Sequence, residues 1–155
     1  MAAAVEKLTV SLPSAEFRIW NTCDGADLSP ELRIGHLKPE VRSIAVFALN
    51  PAEEGCSFTS WLAWNIDPLS LIPEGIPPQG VVTAPVNAVQ GTNDYGTLGY
   101  RGPCPPRGET HRYHFKVYGL DASLNLPAGA TKHELIEAMK GHVLQFGDTV
   151  AIYGR

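Results

Sequence analysis

Charge is scarce in this chain: only 18% of its 155 residues are Asp, Glu, Lys or Arg, and the formal net charge is −4. A chain without basic excess has no electrostatic footprint for nucleic acid or for an anionic membrane surface. No apolar run approaches the roughly 20 residues that span a bilayer, so no stable membrane insertion is expected. The opening residues, Met1 to Lys7, lack a basic stretch followed by an apolar core. No secretion signal is read there, and the cytoplasm is the expected compartment. Cysteine is almost missing, with Cys23, Cys56 and Cys104 far apart. An odd count without Cys-x-x-Cys spacing predicts reduced thiols and neither a zinc knuckle nor a thioredoxin-like motif. His111 and His114 lie in one alternating run, so their side chains point to opposite faces and cannot share an ion. No metal and no cofactor are expected.

What is present is apolar and heavily punctuated. With 44% hydrophobic residues, residues 1–155 read as a single domain. Fifteen glycines and thirteen prolines cut the sequence into the short segments of a β-rich fold. Leu8, Val10 and Leu12 alternate with polar neighbours, as on a half-exposed strand. Ser43–Leu49 and Trp61–Ile66 are nearly continuous apolar runs, which predicts strands buried on both faces, with Trp61 and Trp64 in the core. Asp148–Tyr153 predicts a last strand. One helix is predicted from Thr131, where Glu134 completes a capping box and Leu135, Ile136, Met139, Val143 and Leu144 follow at helical spacing. Gly141 is expected to bend or split it. Residues 67–110 hold most of the prolines and little periodicity, and a loop of that length is usually functional. The sum is a mostly β protein: an antiparallel β-sandwich with one or two peripheral α-helices near the C-terminus.

The densest information lies in residues 99–115. Pro103, Pro105 and Pro106 fix φ and lack an N–H, so the Gly102–Pro106 loop is neither helix nor central strand. From His111 the period becomes two. His111, Tyr113, Phe115 and Val117 share an inward face, while Arg112, His114, Lys116 and Tyr118 share the other. A stiff loop beside an inward imidazole and phenol predicts the wall of a small pocket.

This stretch resembles the second signature region of the phosphatidylethanolamine-binding protein family, which includes the Raf kinase inhibitor proteins and short bacterial and archaeal relatives. The pattern Gly-Tyr-x-Gly-Pro-x-Pro-Pro-x-Gly followed by His-Arg-Tyr falls on Gly99 to Gly108, then His111, Arg112 and Tyr113. The resemblance continues through Thr22–Gly25, Leu28–Pro30, Ser43–Val46, Trp61–Ile66, Tyr118–Asp121 and Gly141–Leu144. It implies two antiparallel sheets with an anion pocket at one end. Tyr100, Gly102, Pro103, Cys104, Pro105, His111 and Tyr113 carry over as ligand-binding candidates. Backbone N–H groups of the glycine turn would form a partial nest, with the imidazole and phenol as further donors.

The family's first region is degraded. Its Asp-Pro-Asp-Ala-Pro falls on Asn50-Pro51-Ala52-Glu53-Glu54, and its later histidine on Ser60, preceded by Phe58 where the family has tryptophan. Asn50, Pro51, Phe58 and Ser60 are nevertheless the matching pocket positions. Losing the carboxylate at Asn50 removes a partner that favours a charged imidazole. Weaker phosphate binding follows, or a shift to a neutral polar ligand or carboxylate.

Three functions stay open. The first is a regulatory module that binds a small anion or headgroup-like molecule, with a protein kinase or a serine protease as the partner the resemblance implies. The second is a non-enzymatic interaction protein with a vestigial pocket that acts through its surface or a homodimer interface. The third and weakest is a hydrolase using Ser57 or Ser60 with His111, for which no Gly-x-Ser-x-Gly elbow exists. No catalytic residue is assigned. His111 and Tyr113 also fit simple satisfaction at the core edge, Tyr100 and the proline loop fit a purely structural role, and Cys104 reads as an inert thiol.

Overall fold

The computed structural model describes residues 4–51 and 57–155. Ala52, Glu53, Glu54 and Cys56, named above, lie outside the described residues. Ten strands and one α-helix follow in order: β1 (Glu6–Lys7), β2 (Thr9–Ser11), β3 (Leu32–Gly35), β4 (Ser43–Pro51), β5 (Ser57–Ile66), β6 (Leu71–Ile72), β7 (Val81–Val82), β8 (Ala88–Gln90), β9 (Thr110–Leu120), α1 (Lys132–Met139) and β10 (Val143–Gly154). A 3-10 turn occupies Ile19–Asn21. Seven strands form the main sheet in the order β1-β10-β9-β4-β5-β8-β7, and β2-β3-β6 form a smaller one. Pairings between these strands are antiparallel except β1 with β10, which is parallel, and an isolated parallel bridge joins Glu16 to Ile152. The β-sandwich expected from the punctuated sequence is therefore present and mainly antiparallel.

The apolar runs explain the layering. Main-sheet residues facing the small sheet, among them Val46, Trp61, Ala63, Phe115 and Val117, pack against Leu32, Ile34 and Ile72. Residues of the opposite face, Ala45, Phe47, Leu62 and Trp64, pack under Leu135 and Met139 of α1. Covering both faces is why β4 and β5 read as continuous apolar runs rather than alternating ones. Leu8 is buried at the point where the chain leaves the main sheet for the small one, its N–H donating to the Phe146 carbonyl at 2.9 Å. The single strand expected around Leu8–Leu12 is thus two short strands in two sheets.

Two expectations about the C-terminal region are corrected. The helix starts as predicted, with the full Thr131–Glu134 capping box, but ends at Met139. Gly141 takes φ +82°, a left-handed conformation that stops a helix, and the chain reverses there. Val143 and Leu144 belong to β10, which begins five residues before the Asp148 start predicted from sequence. Pairing with β9, Val143 opposite Leu120 through Gly154 opposite Thr110, prevails over the helical spacing.

The cysteine reading is corrected too. Cys23 and Cys104 form a disulfide across a sequence separation of 81 residues. Oxidised cysteines fit an oxidising compartment or the interior of hyperthermophiles, so the thiol count lends no weight to a reducing cytoplasm. No helix of the described residues is long and apolar enough to cross a membrane.

A cross-link closing so long a loop restricts the unfolded chain most. The Cys23→Ser/Cys104→Ser double variant should lose about 2–4 kcal/mol, or about 5–15 °C in Tm, measured by thermal unfolding against the oxidised protein. An unchanged Tm contradicts this. The Thr59 hydroxyl is buried without a hydrogen-bond partner among the described residues. Thr59→Val should therefore leave Tm unchanged or raise it, since it removes only an unpaired polar atom.

Candidate functional site

The proline loop is fastened to the segment that follows the 3-10 turn. Cys23 donates its N–H to the Pro103 carbonyl at 3.3 Å beside the disulfide. The Tyr100 hydroxyl donates to the Asn21 carbonyl at 2.6 Å, while its ring meets Trp61 edge-on at 5.7 Å. Gly102 donates its N–H to the Asp27 carboxylate at 2.8 Å. Only glycine fits there, because an added Cβ would lie 2.2 Å from the Asn21 carbonyl oxygen and 2.9 Å from the Thr22 Cα. Arg155 completes the clamp, donating to the Pro105 carbonyl at 3.3 Å and pairing with Asp24 at 2.9 Å. Tyr153 adds a hydrogen bond to the same Asp24 carboxylate.

This arrangement revises the expected anion nest. The Gly102 N–H already serves an internal carboxylate, and Arg101 stands 3.5 Å from that same carboxylate while its guanidinium lies 4.9 Å from the Tyr95 ring centroid. The Cys104 backbone lies near the Tyr113 phenol and draws its pKa down, against the larger effect of burial. The Asp27 carboxyl is held above its ordinary range by burial, against the opposing pull of the Gly102 N–H and Arg101. Tyr113 is pushed up to about 12, first by burial and then by Tyr95, so it is a neutral donor or acceptor at any physiological pH.

The strand alternation places the rest. On β9, Tyr113 is buried with its ring edge-on to Phe17 at 5.5 Å, and His111 lies at the rim with its side chain 30% exposed. The Asn50 amide nitrogen stands 3.3 Å from His111 Nδ1, and Glu109 lies 3.4 Å from Nε2. As oriented, the amide donates to a bare Nδ1, leaving the ring proton on Nε2 toward Glu109. Asn50 pairs with Phe58 in the β4–β5 register, and Phe58 meets Tyr95 edge-on at 4.8 Å.

Two predicted residues are placed elsewhere. Ser60 sits where the β4–β5 register slips between Ala48 and Leu49. Its hydroxyl donates to the Ala48 carbonyl at 3.2 Å, and its own carbonyl accepts from Arg101. Its hydroxyl proton is thus spent on the strand irregularity. Pro51 lines a cleft on the opposite face of the main sheet with Leu49 and His114. Cys104, expected as an inert thiol, is half of the disulfide. The structure therefore unites Asn50, Phe58, His111, Tyr113 and the Gly102–Pro105 turn at one end of the sandwich, and sets Pro51 apart. Beside this end lies an open cleft of about 510 Å³ lined by Ala26, Asp27, Pro78, Thr97, Leu98, Tyr100 and Arg101.

Asp27, Tyr95 and Arg101 were not singled out from sequence. They are loop residues without periodicity, and only the position of Arg101 inside the Gly99–Gly108 pattern could have marked one of them.

Comparison with known proteins agrees with this architecture. The sequence profile of the family described as phosphatidylethanolamine-binding protein matches residues 9–154. A UPF0098 protein of Pyrococcus horikoshii is 51% identical over 135 residues, covering 86% of this chain and 68% of that protein. One from Methanothermobacter thermautotrophicus is 44% identical over 135 residues, covering 86% of this chain and 87% of its own length. The crystal structure of a phosphatidylethanolamine-binding protein homolog from Chlamydia trachomatis superposes with a TM-score of 0.82 at 29% identity, covering 97% of this chain and 99% of that one. The Escherichia coli protein YbcL reaches the same TM-score at 23% identity, which speaks to fold alone.

The raised Asp27 fixes the sign of a pH effect. A carboxyl whose folded pKa lies above its unfolded value of 3.8 favours folding below that value and loses the contribution as pH rises through the folded pKa. Asp27→Asn keeps an acceptor for Gly102 without the buried charge. Its Tm relative to the parent should rise near pH 7 and the gain should vanish near pH 3, by scanning calorimetry at both. A gain of equal size at the two pH values would refute the assignment.

Proposed function

The chain belongs to the phosphatidylethanolamine-binding protein family, and we propose that it is a ligand-binding regulatory member whose site has turned from free phosphate toward a neutral or weakly anionic, headgroup-like molecule. The observation that carries this reading is the Asn50 amide on His111 Nδ1 at 3.3 Å. The amide engages Nδ1 without the negative charge that a carboxylate in its place would bring. The site then offers a polar ring nitrogen at the rim, the Asn50 amide, a neutral phenol and the aromatic edges of Phe58 and Tyr95. These groups suit orientation of a polar headgroup more than neutralisation of a dianion. Glu109 beside His111 and Asp27 beneath the turn further disfavour a dianion. In this reading the protein modulates a partner, of the kinase or serine-protease kind that the family resemblance implies, without chemistry of its own. A hydrolytic role gains no support from Ser60, whose hydroxyl is directed at Ala48.

The internal use of the Gly102 N–H favours one alternative: a vestigial recess, with the surface or a homodimer interface acting instead. Calorimetric titration separates the two. Phosphate should show no saturation in the micromolar range, phosphorylethanolamine should bind more tightly than phosphate, and His111→Ala should abolish that binding. Micromolar phosphate binding contradicts the altered-site reading. Phosphorylethanolamine heat that survives His111→Ala, or is absent from the parent, favours the vestigial one.

A further inference from the structure

The face of β9 turned away from the site carries its own chemistry. Alternation that sends His111 and Tyr113 inward sends His114, Lys116 and Tyr118 outward. In register, Leu49 lies opposite His114 and Phe47 opposite Lys116. Lys132 and Ile136, one helical turn apart on α1, close the other side. With Pro51 these residues enclose a cleft of about 370 Å³, a volume typical of small-molecule sites.

The composition of the cleft is lopsided. Its floor is apolar, with Phe47 and Leu49 buried beneath the opening and Ile136 39% exposed at its rim. Among the described residues that line it, the titratable side chains other than Tyr118 are His114, Lys116 and Lys132, and none is Asp or Glu. Lys116 forms no ion pair among the described residues, and its nearest acidic strand partner is the exposed Asp148 of β10. The Tyr118 phenol is raised by burial and by the nearby Asp148, so it stays neutral and adds apolar surface with one polar tip.

We infer that this cleft is a second binding site, for a single-chain amphiphilic carboxylate such as a medium-chain fatty acid. The carboxylate lies against the Lys116 ammonium on the Lys132 side, and the chain covers Phe47, Leu49, Tyr118 and Ile136. Each buried methylene adds to binding, so an acyl chain supplies the affinity and the lysine supplies the sign. Lysines present point charges suited to a carboxylate, in place of the arginine fork typical of bidentate recognition.

The test is titration of the full chain with decanoate, decanol and decyltrimethylammonium, each below its micelle threshold. Decanoate should bind saturably at one site per chain, decanol about tenfold more weakly, and the cation not at all. Lys116→Met should weaken decanoate about five- to tenfold and leave decanol unchanged. Ile136→Glu, at a partly exposed helix position that the fold tolerates, should weaken both. His111→Ala should change neither, which separates this cleft from the site at the proline turn. Non-saturable uptake of decanoate, equal affinity for decanol, or loss of binding in His111→Ala overturns the inference. So does a self-associated species by sedimentation that Ile136→Glu dissolves and decanoate does not, because the cleft then belongs to a second copy of the chain.

Discussion

The end of the sandwich is organised by the clamp between the Gly102–Pro105 turn and residues 21–27. One covalent bond and several hydrogen bonds converge there: the Cys23–Cys104 disulfide, Cys23 N–H to Pro103, Tyr100 to Asn21 and Gly102 N–H to Asp27. The clamp sets where the turn sits against β9, and so where His111 and Tyr113 find themselves. It also consumes donors. A glycine turn is attractive to anions when its N–H groups are unmet. Here the protein supplies its own anion, Asp27, and balances it with Arg101. The contacts that fasten the turn are the ones that occupy its Gly102 N–H.

Around that clamp the main sheet works as a two-sided partition. Its inner face packs Trp61, Phe115 and Val117 against the small sheet, and its outer face packs Leu62 and Trp64 beneath α1. Because β9 lies inside the sheet, between β10 and β4, a single strand delivers chemistry to both sides. Its inner residues close the proline-turn site, and its outer ones line the basic cleft. Gln90 ties the long connection to this frame: its amide accepts from the Trp61 indole at 2.8 Å and donates to the Pro77 and Gln79 carbonyls. The segment with least periodicity is thus held by buried polar contacts, which orient more than they stabilise.

The legible parts of the structure are those governed by short-range periodicity. The two-residue period from His111 onward predicted which side chains of β9 are buried, and the Thr131–Glu134 spacing predicted the helix start. The apolar runs of β4 and β5 predicted burial on both faces. Failures share a different cause: each depends on partners distant in sequence. Val143 and Leu144 fit a helix until pairing with Leu120 claims them for β10. The 81-residue separation of the disulfide leaves no local trace. Ser60 aligns with a family ligand position, yet a register slip turns its hydroxyl to Ala48. Pro51 follows Leu49 to the outer face by simple alternation, which motif matching ignored. The resemblance picked out residues that lie together at one end of the molecule, without revealing that Asp27 already accepts from the turn.

The most direct measurement of this account follows the backbone amide of Gly102 by two-dimensional NMR while phosphate is added. An amide committed to Asp27 should exchange slowly with solvent and keep its chemical shift throughout the titration. A large phosphate-dependent shift of this amide, with rapid exchange in the free protein, would show an open nest and contradict the internal satisfaction on which this view of the site rests.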